Sequence, residues 1–278
     1  MCETINFTLE SVTAGNAIYD VSVDNMAANT YNIDVNKVGS PVVQSIVSGV
    51  KTGATVAFTS DFSTAVTVNG KADNEAITVT SSADTTTVNS AGTLTAATVT
   101  VSGATNTATG RTIASDSDAA FTATTTAADM TITAAGATTV VATSSGDIDA
   151  NTTDLTAATS VNLTAGDELT VGLAAAATAT LSAKGTGTGG TTASIVEDGA
   201  AGTLTSVTLS GNGGAAQFNL TAAESVATIT LTGSQNVGAT MDASEIDALT
   251  SNKVTVVDNT ADAASANSPC PLSNSPSL

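Results

Sequence analysis

Closely spaced carboxylates are the side chains of this sequence with the clearest capacity for chemistry. They stand one or two residues apart in segments of turn-forming composition, where a hard cation that prefers several oxygen ligands can bind. The five candidate calcium ligands are Asp116, Asp118, Asp147, Asp149 and Asp167. The alternative interpretation is that each is a solvated turn carboxylate with no ligand.

Catalysis is a poor match to the residue types present. The chain has no histidine, which excludes Ser-His-Asp and Cys-His machinery and imidazole metal ligation. Carboxylate pairs alone can hydrolyse glycosides, but such sites grip sugar rings with aromatic side chains, and aromatics are only 3% of this sequence. We therefore expect a protein that is not an enzyme.

The charge balance narrows the class of partners. Asp and Glu number 25 against 6 Lys and Arg, which gives a formal net charge of −19. Such a chain repels phosphate backbones, so we expect no nucleic acid partner. An acidic, lysine-poor, Thr-rich composition predicts an extracellular protein whose carboxylates are neutralised by divalent cations. Simple solubility through like charge is the alternative reason for this composition.

The two cysteines lie near the chain ends, and the N-terminus lacks the pattern of a signal peptide. Cys2 and Cys270 can form a disulfide only where the termini meet, and a stacked repeat separates its ends, so their role stays open. No stretch reaches the apolar length that a membrane span needs. The first residues lack the basic and apolar regions of a signal peptide, so we expect export without one, a mature form, or a piece of a longer chain.

The elements that would position these carboxylates are short strands in a recurring phrase. Similar segments run over Leu94–Gly103, Leu155–Gly166 and Leu204–Gly211, each ending in a small turn. From about residue 73 to 260, apolar residues at alternate positions recur about every ten residues, with Thr, Ser or Asn between them, which is typical of strands with one buried face. Thr at equivalent places of stacked strands predicts ladders on the open face.

These patterns predict an all-β chain that forms a right-handed parallel β-helix, or β-solenoid, with a small β N-terminal cap. The domains are a β domain or cap over 1–72, the repetitive solenoid over 73–260 and a proline-containing flexible tail over 261–278. Tandem β-sandwich domains are the alternative, because they also show strands at this spacing. A capping box at Asp242–Glu245, followed by Ile246 and Leu249, predicts a short helix of about two turns.

The repeated phrase resembles the repetitive body of bacterial surface-layer (S-layer) proteins of the calcium-dependent, type I-secreted kind. The residues that carry the resemblance are Leu94–Gly103, Val226–Gly233, Gly238–Ser244 and Val254–Asp258. The resemblance implies an extracellular, self-assembling lattice protein that is often a β-solenoid held together by calcium and often exported without an N-terminal signal. The calcium nonapeptide of such secreted proteins is missing here, and the chain is short for the family.

The sequence thus predicts a structural protein of the bacterial cell surface that assembles into a lattice with copies of itself, assisted by calcium. Cell-surface polysaccharide is a further candidate partner. An extracellular adhesin or binding module, or a segment of a fibre, is the alternative function.

Overall fold

The structure is a computed structural model of the whole chain. It describes residues 3–11, 17–37, 42–60, 63–71, 75–89, 94–101, 111–115, 119–126, 129–151, 153–176, 178–184, 194–197, 203–223, 225–233, 236–241 and 255–260. These residues form strands and turns and contain no helix. No candidate membrane-spanning helix is found among them. The chain divides into two compact units, Met1–Gly146 and Asp147–Leu278.

Unit 1 contains two parallel sheets that take alternate strands of the chain. One sheet has the order β1-β3-β5-β7-β9-β11-β13 and the other the order β2-β4-β6-β8-β10-β12. The strands are β1 (Thr4–Ser11), β2 (Ala17–Ser22), β3 (Thr30–Lys37), β4 (Val42–Val50), β5 (Ala54–Ser60), β6 (Ser63–Gly70), β7 (Glu75–Ser81), β8 (Thr85–Asn89), β9 (Leu94–Val101), β10 (Arg111–Ser115), β11 (Ala120–Thr125), β12 (Met130–Thr133) and β13 (Thr139–Thr143).

Unit 2 repeats the arrangement with shorter strands. Its sheets have the orders β15-β17-β19-β21-β23 and β14-β16-β18-β20-β22. The strands are β14 (Ile148–Ala150), β15 (Ser160–Thr164), β16 (Leu169–Gly172), β17 (Thr178–Ala183), β18 (Ser194–Glu197), β19 (Ser206–Gly211), β20 (Ala216–Ala222), β21 (Thr228–Gly233), β22 (Val237–Thr240) and β23 (Thr255–Thr260).

This topology confirms the all-β prediction of stacked parallel strands, a β-solenoid in which each coil gives one strand to each sheet. Parallel pairing between every second strand excludes the sandwich alternative, whose sheets are antiparallel. The handedness and the boundaries near residues 72 and 260 stay predictions. Strands β1 to β6, which belong to the predicted N-terminal cap, pair in the same alternating order as the strands that follow them. The predicted helix and the tail over 261–278 lie outside the described residues.

The core of each coil is the row of side chains that the two sheets turn toward each other. In β11 and β17 the residues alternate between buried and more exposed positions, as a strand with one covered face requires. Val56, Val79 and Val99 lie in register on β5, β7 and β9, three neighbouring strands of one sheet, and are fully buried. Each apolar side chain is therefore covered by the equivalent side chains of its neighbours, so the stack supplies the burial that one coil lacks.

The corners between strands reuse a four-residue turn in which the first and fourth residues are buried. In unit 2 the amide of Ala158 donates to the carbonyl of Leu155 at 3.1 Å, and the amide of Ala223 donates to that of Leu220 at 3.0 Å. All four of these residues are buried. The Leu-Thr-Ala-Ala phrase at 155–158 thus carries apolar side chains into a corner and extends the core beyond the strands.

Candidate functional site

The predicted calcium ligands fall in two parts of the chain, of which the structure describes one. Asp116 and Asp118 lie outside the described residues. Asp147 directly precedes β14, Asp149 lies in that strand, and Asp167 belongs to the turn before β16. Asp149 and Asp167 are exposed, whereas Asp147 is half-buried.

Asp147 joins neighbouring coils through its carboxylate. The amide of Glu168 donates to Asp147 Oδ1 at 2.8 Å, and the amide of Ile148 donates to the carbonyl of Glu168 at 3.0 Å. One oxygen of this carboxylate thus accepts a backbone hydrogen bond, which fixes its position at the corner. The local sequence explains the arrangement. Asp147 directly precedes β14, Glu168 directly precedes β16, and these two strands pair in register, so the two acidic residues lie beside each other in adjacent coils.

The described residues contain no group of three or more His, Cys, Asp or Glu side chains that could hold a metal ion. Asp147, Asp149 and Asp167 therefore do not form such a cluster by themselves. One backbone contact links the next coil to this turn, from the amide of Lys184 to the carbonyl of Asp167 at 2.9 Å. A calcium ion bound here would need further oxygen ligands from water or from another molecule.

The outer face of the sheet that begins with β1 is a regular surface of unit 1. A single row of six threonines crosses six strands in register and ends at Val141, which is 38% exposed. The row consists of Thr4, Thr30, Thr55, Thr78, Thr98 and Thr122. Beside it, Thr80, Thr100, Thr124 and Thr143 form a second row. The predicted threonine ladders are confirmed.

The corresponding face of unit 2 carries three such rows. They are Ser160, Thr178, Ser206, Thr228 and Thr255; Asn162, Thr180, Thr208, Thr230 and Val257; and Thr164, Ser182, Ser210, Thr232 and Asn259. None of these fifteen positions is charged. The face combines hydroxyl groups, which donate and accept hydrogen bonds, with the methyl groups of threonine.

The chemistry of these faces is that of contact. Parallel strands in one sheet lie about 4.8 Å apart and alternate residues of a strand about 6.6 Å apart, so the hydroxyls form a two-dimensional array. No charged side chain lies in the array of unit 2, so another molecule can approach this face without burying a charge there. Sequence alone predicted ladders, but it did not show how many rows run in register, because that number depends on which strands pair.

Comparison of the chain with protein-family models, with curated proteins and with solved structures finds no match.

Proposed function

We propose that this protein is a structural, non-enzymatic component of a bacterial surface layer, which assembles outside the cell into a lattice with copies of itself. One observation carries the proposal. The outer face of unit 2 presents three uncharged rows in register, made of threonine, serine and asparagine except for Val257, on a chain with a net charge of −19. Such a face can approach an equivalent face closely, because no carboxylate has to be desolvated between them.

Calcium is proposed to assist by bridging exposed carboxylates of unit 2. Asp149 and Asp167 are exposed and lie within or beside the strands of unit 2, where a neighbouring molecule can complete the oxygen ligands. A second molecule would supply the remaining oxygen ligands of the calcium ion. Cell-surface polysaccharide is a further proposed partner, for which the hydroxyl and amide groups of the rows provide hydrogen bonds.

The test compares assembly of the full chain before and after a charge is placed on the face. Thr180 lies in the middle row of unit 2 and is exposed, and Thr153 is an exposed turn residue. Electron microscopy of the concentrated Thr180→Arg variant should show no ordered lattice, because each contact between molecules would bury a guanidinium. Thr153→Arg, which adds the same charge away from the rows, should assemble like the unchanged chain.

Excess chelator tests the part played by calcium. A lattice that dissolves in chelator and reforms when Ca²⁺ is returned supports calcium bridging. The double variant Asp149→Asn, Asp167→Asn should then assemble poorly even with calcium. A lattice that persists unchanged in chelator contradicts calcium bridging. A chain that stays monomeric at high concentration and associates only when a polysaccharide is added is an adhesin, and a stable trimer is a fibre segment.

A further inference from the structure

The first strand of unit 1 leaves an apolar row half-covered. Ile5, Phe7 and Leu9 of β1 point toward the core but are only half-buried, although Tyr31 and Ile33, their partners on β3, are fully buried. Among the described strands, β1 has β3 as its one neighbour in the sheet. A further strand beside β1 would cover these side chains as β3 covers one side of them now.

The adjacent strand of the other sheet is equally incomplete. Tyr19 and Val21 of β2 are half-buried, whereas Val47, the partner of Val21 on β4, is fully buried. Both sheets of unit 1 thus begin with core positions that lack cover on one side. A partner that covers this surface must supply two strand edges and apolar side chains between them.

The last strand of unit 2 is closed by a charge. Asp258 of β23 is in register with the buried Leu231 of β21, so a carboxylate occupies a position of the core row, and its side chain is exposed. A strand added beside β23 would bury that carboxylate next to leucine, which is costly. Charged residues at inward positions are a known protection of edge strands. A β23 edge is therefore a poor partner for β1.

The backbone of β1 offers a row of hydrogen-bonding groups on its open side. The amide of Thr30 donates to the carbonyl of Glu3 at 3.0 Å, so odd-numbered residues of β1 direct their backbone groups toward β3. Because these directions alternate along a strand, the groups of Asn6 and Thr8 point away from β3. These are the groups through which another strand can bind.

We infer that two copies of this chain pair through their β1 edges, antiparallel and about a twofold axis. With Phe7 opposite the partner's Phe7, Ile5 lies opposite the partner's Leu9, and the two apolar rows cover each other. In this register Asn6 and the partner's Thr8 form a hydrogen-bonded pair, while the phenylalanines form a non-hydrogen-bonded pair, as antiparallel geometry requires. Each molecule presents the same patch, so the contact is self-complementary.

The same rotation places β2 against the β2 of the second copy, so Tyr19 and Val21 are covered as well. The dimer continues the way in which each coil already covers the next, with one antiparallel step in place of a parallel one. Because each chain carries a net charge of −19, the dimer should strengthen as salt screens the repulsion. The pairing does not use the threonine rows, so it stands apart from the proposed lattice contact.

Sedimentation velocity of the full chain over a range of concentrations is the experiment. The unchanged chain should sediment as a dimer that dissociates on dilution. Thr8→Pro removes one outward-pointing amide and leaves the pairing with β3 intact, so the dissociation constant should rise about tenfold or more. Thr8→Val retains the amide and is the matched control, which should dimerise like the unchanged chain. Unaltered hydrogen exchange over β3 and β5 shows that Thr8→Pro remains folded.

A second variant tests the asymmetry of the two edges. Asp258→Leu removes the inward carboxylate and should create a second strand edge that can pair with another chain. Sedimentation velocity should then show species larger than the dimer. A monomeric unchanged chain, or a Thr8→Pro variant that dimerises normally, overturns the inference. A chain that forms a lattice but never dimerises overturns the β1 pairing and leaves the proposed lattice intact. A chain that dimerises but never forms a lattice supports the β1 pairing and contradicts the proposed lattice.

Discussion

The inner rows of the two units differ in residue type although their outer rows are alike. In the sheet that contains β5, the central inner row of unit 1 begins with the valines Val56, Val79 and Val99 and continues with the smaller residues Ala123 and Ala142. The equivalent sheet of unit 2 has a leucine row instead, formed by Leu163, Leu181, Leu209 and Leu231. All nine residues are buried.

The difference teaches that stacking favours apolar side chains along a row, not one particular residue type. Valine packs on valine and leucine on leucine, because adjacent coils place equivalent side chains in direct contact. Threonine recurs on both outer faces for another reason, since its branched side chain suits an extended backbone whatever lies inside. The core can therefore change along the chain while the surface stays constant.

Truncation within the two rows should have the largest effect and sharpen this contrast. Leu181→Ala removes more buried volume than Val79→Ala, so we expect a loss of about 2–5 kcal/mol for the leucine and about 1–3 kcal/mol for the valine. Urea unfolding combined with hydrogen exchange of peptides from each unit measures both losses locally. Equal losses of unfolding free energy for the two variants would contradict the expectation that the loss follows the buried volume removed.

A pair of glycines gives the second comparison. Gly49 in unit 1 has a φ of 81°, and a Cβ there would lie 2.8 Å from Cα of Asp24; Gly213 in unit 2 has a φ of 73° and open space around it. Gly49→Ala combines backbone strain with a clash and should cost about 2–4 kcal/mol, against about 1–2 kcal/mol for Gly213→Ala, which meets strain alone. Unfolding midpoints of the two variants decide the matter, and similar values would contradict the clash.

One buried hydroxyl interrupts an apolar row of unit 1, and its removal should stabilise that unit. Thr86 lies in register between Val66 and Ile113, is fully buried, and its Oγ1 has no hydrogen-bond partner. Thr86→Val replaces an unsatisfied oxygen with a methyl group of similar size, so we expect a gain of about 1 kcal/mol. Thr87→Val, a half-buried neighbour on the outer side of the strand, is the control and should change stability little. A lower unfolding midpoint for Thr86→Val would show that the hydroxyl contributes to the fold.

The smallest expected effect is an alkaline titration confined to unit 1. Burial raises the pKa of Tyr31, while a backbone hydrogen bond at Ala28 lowers it, and the phenol donates to the carbonyl of Met26 at 3.1 Å. The neutral phenol is favoured in the fold, so its stabilising contribution is complete below the ordinary tyrosine pKa of about 10 and is lost as the pH rises through the raised value.

Ultraviolet absorbance of the phenolate measures this titration. Tyr31→Phe should remove the late component and weaken the pH dependence of unit 1 stability above the ordinary tyrosine range. Unfolding of unit 2, where the sequence has no tyrosine, should not respond to the substitution. A Tyr31 that titrates early would show that the side chain is reached by water.

The recurring phrase shows how far local sequence specified the fold. Leu94 and Ala97 are the first and fourth residues of one copy, and Leu155 and Ala158 those of another; all four are buried. Yet the first copy lies within β9, whereas the second is a turn that precedes β15. The burial pattern was readable from residue type, but the backbone conformation depended on where the coil had to bend.

The candidate sites show the same division. The carboxylate spacing placed Asp147, Asp149 and Asp167 near turns and strand starts, yet a metal site needs convergence of groups from different coils, which spacing along the chain does not specify. The closing of the β23 edge by Asp258 was also invisible, because its inward position follows from its register with Leu231.

The sequence by itself determined that the chain is made of short strands with one apolar and one threonine-rich face, because alternation and turn residues are local properties. The tertiary structure alone decided which strands pair, and hence that threonines distant in sequence form continuous rows while one aspartate falls within a leucine row. Register is a property of two strands at once: a shift by one residue exchanges the two faces, and the collective burial of whole rows selects among the registers.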